Sequence, residues 1–266
     1  MGGSNGSDGS NGARSREVII SVRGLNVGFG KNLVLRDLDL DVYRGEVLGV
    51  VGASGSGKSV LLRSIVGLLP RRAGTVEVFG KDVRKLSEKQ RVLVERRWGV
   101  LFQDGALFSS LTVAQNIQVP MREHLKLPQK MMDELAALKI AMVGLPQSAA
   151  AKYPSELSGG MRKRAGLARA LALDPEIVFL DEPTSGLDPI SAADFDDLVG
   201  KLQQTLGLTV FMVTHDLDSL YAICDRIAVL GDGHVLVEGT IETMLGFDHP
   251  WVAAYFKGPR ARAVNA

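Results

Sequence analysis

The chain contains one cysteine, Cys224, so no internal disulfide can form and the composition fits a reducing compartment. Cys224 itself reads as a small buried apolar residue. No stretch approaches the ~18 consecutive apolar residues of a membrane span. No apolar leader follows the first residues. Neither sign of charge is in excess: 31 Lys plus Arg stand against 30 Asp plus Glu, a formal net charge of +1. The basic surplus that nucleic-acid binding draws on is therefore missing. Internal repeats are missing too. What the chain does have is apolar bulk, 45% of 266 residues, enough for one substantial core with a second lobe. Residues 1–16 are dominated by Gly, Ser, Asn and charge, with nothing to bury, and are expected to form a disordered tail.

Gly52-Ala53-Ser54-Gly55-Ser56-Gly57-Lys58-Ser59 reads G-x-x-x-x-G-K-S, the phosphate-binding loop. The preceding Glu46–Val51 run is apolar and β-branched, as a buried parallel strand should be. The following Val60–Val66 run suits an amphipathic helix. Strand, glycine loop and helix are the context that this motif needs. Glycines let successive N–H groups turn inward onto phosphate oxygens, and the helix N-terminus adds its positive dipole end. Lys58 is expected on the β- and γ-phosphates and the Ser59 hydroxyl on Mg²⁺. Val60, next in line, is counted with the nucleotide-contacting residues.

Upstream, Val18–Val22 reads as a strand, and Leu38, Leu40 and Val42 alternate at period two, so that segment is expected to be a half-exposed antiparallel strand. An antiparallel N-terminal sheet thus precedes a nucleotide-binding α/β core. Downstream, Thr75–Phe79 reads as a strand, residues 83–97 as helical, and Trp98–Gln103 as a strand ending in a polar residue. Residues 104–160 change texture, with Pro120, Pro128, Pro146 and Pro154 and a helix expected from Pro128 to Val143. They look like an inserted helical lobe. Ser158–Leu173 is expected to be a helix capped by Ser158 and stopped at Asp174-Pro175. Ile177–Asp181 reads as a buried strand, Ile190–Gly207 as a helix, Thr209–Val213 as a strand and Asp218–Cys224 as a helix. Gly231-Asp232-Gly233 joins a final hairpin.

The Ile177–Leu180 strand delivers Asp181 and Glu182 at its C-terminal end, where ligands sit in parallel sheets. Asp181 suits a hold on Mg²⁺, and Glu182 suits polarisation of an attacking water. Leu157-Ser158-Gly159-Gly160-Met161 opens a helix with a hydroxyl, two glycine N–H groups and a dipole, a second anion-binding end. One nucleotide needs only one such end. The second makes sense if it caps the γ-phosphate held by another copy of the chain.

Taken together these landmarks resemble the nucleotide-binding subunit of ABC transporters, over residues 18 to about 245. The resemblance implies an α/β fold: a RecA-like P-loop NTPase core with an N-terminal antiparallel β-subdomain and an inserted α-helical subdomain at about 104–160. The ATPase domain would cover 17–246 and a C-terminal extension 247–266. It implies ATP hydrolysis by a homodimer that sandwiches two ATP molecules with Mg²⁺. By resemblance Phe29 stacks the adenine, although the family often has tyrosine there. Gln103 contacts Mg²⁺ and the lytic water. Ser158, Gly159 and Gly160 match the signature motif, and Ser185-Gly186-Leu187-Asp188 the loop that crosses the dimer interface. His215 matches the switch histidine on the γ-phosphate. A lone histidine at a strand end is usually structural; its place in this series promotes it. Met161 departs from the family's usual glutamine and cannot reproduce a glutamine hydrogen bond.

Within the helical lobe, Gly105-Ala106-Leu107-Phe108, Arg122-Glu123-His124 and the Met161 variant are similar to the ATPases of Mla/Mce-type lipid transport. That branch implies work on the cytoplasmic face of a bacterial inner membrane. Its partners are a permease dimer, an MCE-domain lipid-binding protein and often a small STAS-domain protein. An ABC ATPase for an amino acid, a drug or a sterol-like compound is the alternative. The aromatic Phe247–Phe256 segment is expected to dock on its own domain, with a reach to a partner subunit through Trp251 and Tyr255 as the other reading.

Overall fold

The computed structural model describes residues 16–258. Residues 1–15 and 259–266 lie outside the described residues, and with them nearly all of the expected tail and the end of the expected extension.

Strand β1 (Val18–Phe29) and strand β2 (Asn32–Tyr43) form a long antiparallel hairpin. Its buried side chains are Ile19, Ile20, Val22, Leu25 and Val27 on β1, and Leu35, Leu38, Leu40 and Val42 on β2. The step from Val22 to Leu25 breaks period two because the register slips there, at Gly24 with φ +56°. Beyond this bulge the alternation resumes in shifted phase at Leu25 and Val27. Strands β4 (Ala73–Val78) and β5 (Lys81–Asp82) complete a four-stranded sheet of order β2-β1-β4-β5.

The second sheet has the order β10-β9-β3-β8-β7-β6. It contains β3 (Val47–Gly52), β6 (Trp98–Leu101), β7 (Ile177–Asp181), β8 (Thr209–Val213), β9 (Arg226–Gly231) and β10 (His234–Gly239). All neighbours are parallel except the β9–β10 hairpin. Every residue of β3, β7 and β8 is buried, as in a sheet covered on both faces. On β7, Ile177 and Phe179 enter the core shared with the antiparallel sheet and helix α1 (Lys58–Ile65). Val178 and Leu180 enter the opposite core. Phe211 and Val213 divide from Val210 and Met212 on β8 in the same way.

That opposite core carries α3 (Val113–His124) and α4 (Gln129–Met142), both from the segment expected as a helical lobe, together with α5 (Gly159–Ala170) and α6 (Pro189–Leu206). Helix α3 contains Pro120, so a proline that reads as punctuation in the sequence lies inside a helix. The start is set by a capping box, Thr112 accepting from the Gln115 N–H while the Gln115 side chain accepts from the Thr112 N–H. The 83–97 segment is helical only in parts, a 3₁₀ turn over Val83–Lys85 and then α2 (Glu88–Glu95). After α7 (Leu217–Ile223), the chain ends in α8 (Ile241–Gly246) and α9 (Pro250–Phe256). Val252 and Phe256 are buried with Val51, Leu220 and Met244, so the aromatic segment docks on its own domain.

Candidate active site

Strand β3 runs into the phosphate loop, and the close approach of the backbone there explains the glycines. A Cβ on Gly52 would lie 2.3 Å from the Leu230 carbonyl oxygen and 2.7 Å from Ser56 Oγ. Gly57, the residue before α1, has φ +100°, and a Cβ on it would lie 2.7 Å from Leu35 Cδ2. Gly55 is left-handed as well, at φ +79°. Ser56 Oγ is buried without a hydrogen-bond partner. A polar atom of this kind under a glycine cradle is what an anionic ligand would satisfy. Lys58 Nζ donates to the carbonyls of Gly52 at 2.8 Å and Ala53 at 3.1 Å. Burial lowers its pKa, against the opposing pull of the Glu182 and Asp181 carboxylates.

Strand β7 ends beside α1. Ser59 Oγ donates to Asp181 Oδ1 at 3.0 Å, and the buried Asp181 also faces Arg63 at 3.9 Å. A hydroxyl and a carboxylate are hard oxygen donors that fit Mg²⁺, which binds through one or two protein oxygens plus substrate phosphates. Among the described residues no cluster of three or more His, Cys, Asp or Glu forms an all-protein metal cage. The donor set therefore fits a cation shared with a phosphate.

Glu182 has φ +52°, a left-handed backbone that costs a branched or long side chain of order 1 kcal/mol. Several contacts hold it there. Its N–H donates to the Val213 carbonyl at 2.8 Å, and its carbonyl accepts from Lys163 Nζ at 2.9 Å. Its Oε2 lies 2.6 Å from His215 Nδ1. The His215 carbonyl in turn accepts from Tyr255 Oη of α9 at 2.8 Å.

The structure thus brings Lys58, Ser59, Asp181, Glu182 and His215 into one linked set. The Gln103 backbone joins it through Lys163, which donates to its carbonyl, while the Gln103 residue is exposed. Phe29 ends β1 and is 55% exposed, open to stacking. Ser158 caps α5, its Oγ accepting from the Met161 N–H at 3.3 Å, and Gly160 has no atom within 4 Å of a built Cβ. Asp188 caps α6 through the Ile190 and Ser191 N–H groups, and the Ser191 hydroxyl bond leads the effects that hold its carboxyl below the usual range. Among the described residues neither Ser158 nor Asp188 hydrogen-bonds to the phosphate loop. Two participants carry no sequence signal for a role at this site. Lys163 lies in Met161-Arg162-Lys163-Arg164, part of the series similar to lipid-transport ATPases, which gives it no role of its own. Tyr255 reads as an anchor of the aromatic tail and not as a residue near the site.

A glycine cradle, a half-buried lysine, a Ser–Asp oxygen pair and a strand-end glutamate define a P-loop nucleotide hydrolase. The sequence profile described as "ABC transporter" matches residues 35–185, and the chain belongs to that family as an ATPase subunit. It is 39% identical to the probable ribonucleotide transport ATP-binding protein mkl of Mycobacterium leprae, over 95% of this chain and 72% of that one. It is 39% identical to the intermembrane phospholipid transport ATP-binding protein MlaF of Haemophilus influenzae, over 90% of each chain. The fold superposes on the dimeric post-hydrolysis state of an ATP-binding cassette bound to ADP and Pi, with TM-score 0.76 and 29% identity, covering 83% of this chain and 98% of that one.

Proposed function

We propose that this ATPase powers an ABC transporter whose cargo is phospholipid or a similar hydrophobic molecule. What supports the reading most is the phospholipid-transport relative, similar at 39% identity over 90% of both lengths. The lobe segment that carries the branch resemblance is also well built. Buried Asn116 accepts from the Phe108 N–H at 2.8 Å and donates to the carbonyls of Phe108, Leu111 and Thr112. That network holds Phe108 with 51% of its surface exposed. On this reading the subunit sits on the cytoplasmic face of a bacterial inner membrane. Its partners are a permease dimer, an MCE-domain lipid-binding protein and a STAS-domain accessory protein.

The proposed cycle follows from the site. ATP binds with its adenine on Phe29 and its phosphates over residues 52–60. Lys58 exchanges its carbonyl partners for the β- and γ-phosphates. Ser59 and Asp181 would hold Mg²⁺ with Gln103, and the ion would supply charge neutralisation for the transferring phosphoryl group. Glu182 polarises the attacking water. His215, with Nδ1 on Glu182, faces the γ-phosphate. Ser158, Gly159 and Gly160 of a second copy close over the same phosphate, next to Asp188 at the interface. Their contact exists with ATP and is lost with ADP, so the γ-phosphate supplies the differential affinity that shifts the dimer between states.

The test of the cargo is isolation of the complex from membranes with its co-purifying subunits, followed by extraction and mass spectrometry. Bound phospholipid or another lipid supports the reading. A permease complex holding ribonucleotide or amino acid and no lipid refutes it.

A further inference from the structure

Lys163 is 5% exposed, in the middle of the first turns of α5, with its ammonium between two loops. One is the exit of β6, where Nζ donates to the Gln103 carbonyl. The other is the exit of β7, where Nζ donates to the Glu182 carbonyl at 2.9 Å. An ammonium has three N–H donors, and these carbonyls take two of them. Burial of a lysine costs free energy unless such partners are supplied.

The neighbouring residues on the same face of α5 act on the same loop. Positions 163, 166 and 169 recur at a spacing of three, so they share one side of the helix. A Cβ on Gly166 would lie 3.1 Å from Gly105 Cα, which shows how closely the helix and loop approach. Arg169 donates to the carbonyls of Gly105 at 3.0 Å and Ala106 at 2.7 Å. The loop backbone needs that support: Gly105 and Ala106 both have positive φ, +75° and +48°. The segment after Gln103 is therefore clasped along its length to the helix that Ser158 opens. Lys163 alone in this clasp also reaches Glu182, itself held in a left-handed backbone.

We propose that Lys163 is a positioning residue for ATP hydrolysis: by binding the carbonyls of Gln103 and Glu182 together, it fixes the Gln103 loop and the proposed general base in one relative placement. The proposal rests on the role given to Glu182 above. Because the ammonium leaves ATP's own contacts untouched, it acts on the placement of the water-activating groups and not on nucleotide affinity. It also makes the placement depend on α5.

The test compares the parent full-length chain with Lys163→Met, Lys163→Gln and Glu182→Gln. The measurements are single-turnover hydrolysis of MgATP with enzyme in excess, ATP affinity by equilibrium binding, and melting temperature. Lys163→Met removes both donors. It is expected to lower the hydrolysis rate at least tenfold while ATP affinity stays within threefold. Lys163→Gln keeps two N–H donors and is expected to lose at least threefold but to remain faster than Lys163→Met. A Met variant that hydrolyses within tenfold of the parent, a loss of affinity matching the loss of rate, or a Gln variant no faster than Met would each overturn the proposal. If Lys163→Met does not fold, Lys163→Gln decides alone: a loss under threefold, or one accompanied by equal loss of affinity, overturns it. Normal turnover by Glu182→Gln would instead refute the role of Glu182, whatever Lys163 does.

Discussion

Glu182 Oε2 and His215 Nδ1 lie 2.6 Å apart, joining the exits of two adjacent parallel strands. With Nδ1 donating to the carboxylate, the imidazole is fixed in orientation and its Nε2 is free to point away from Glu182. The pair is thus a unit, and the residue across it sets what each member can do.

Glu182→Gln keeps the size of the side chain and removes the charge that would polarise water. The expected result is a fall in hydrolysis of about 10²–10³-fold, within the usual range for loss of a general base. ATP binding persists, so ATP-bound dimers accumulate. Phosphate-release kinetics and light scattering after size exclusion check both halves of this expectation.

Gly52→Ala tests the cradle. The added Cβ would overlap the Leu230 carbonyl oxygen at 2.3 Å, and backbone on a neighbouring strand cannot yield as a side chain can. Overpacking of this kind costs about 1–3 kcal/mol. Thermal denaturation should show that loss, and nucleotide titration should show ATP affinity falling at least tenfold.

Asp196 on α6 is buried, with Oδ2 accepting from Ser219 Oγ at 2.6 Å and Oδ1 without a partner. Burial, helped by Asp216 and Asp218 and opposed by the Ser219 bond, pushes its pKa up to about 6. A carboxyl raised in the folded state favours folding while protonated. Its contribution is full below the ordinary carboxylate range near pH 4 and is lost as pH rises through about 6. Asp196→Asn removes the charge, so the fall in stability between pH 4 and 7 should flatten, by at most ~3 kcal/mol. Denaturant titrations at several pH values measure it; an unchanged slope would count against the assignment.

Phe256 anchors α9 and is fully buried against the sheet. Phe256→Ala should cost about 3–5 kcal/mol. Hydrogen exchange should speed up over 250–256 before it does in β3 or β8.

The site was legible wherever its chemistry follows the order of the chain. The phosphate loop, the Asp181-Glu182 strand end and the Ser158 helix start are each a contiguous string with a fixed local geometry. The fold was legible for the same reason: β3, β7 and β8 are continuous apolar runs. The rest depends on contacts between distant segments. Lys163 meets Gln103 and Glu182 across 60 and 19 residues, and no local pattern separates it from Arg162 and Arg164. Strand β1 was harder to follow past Gly24 because a bulge there shifts the phase of its alternation. Helix α3 hid behind Pro120, although Thr112-x-x-Gln115 marks its start.

Strand β7 is only five residues long, and its side chains alternate between two cores. Asp181 and Glu182 hang from its end like a pointer mounted on a shared beam. A shift of packing in either layer, whether under the antiparallel sheet or in the helical lobe, tilts that beam. Mechanical news from both sides of the molecule therefore arrives at the same two carboxylates.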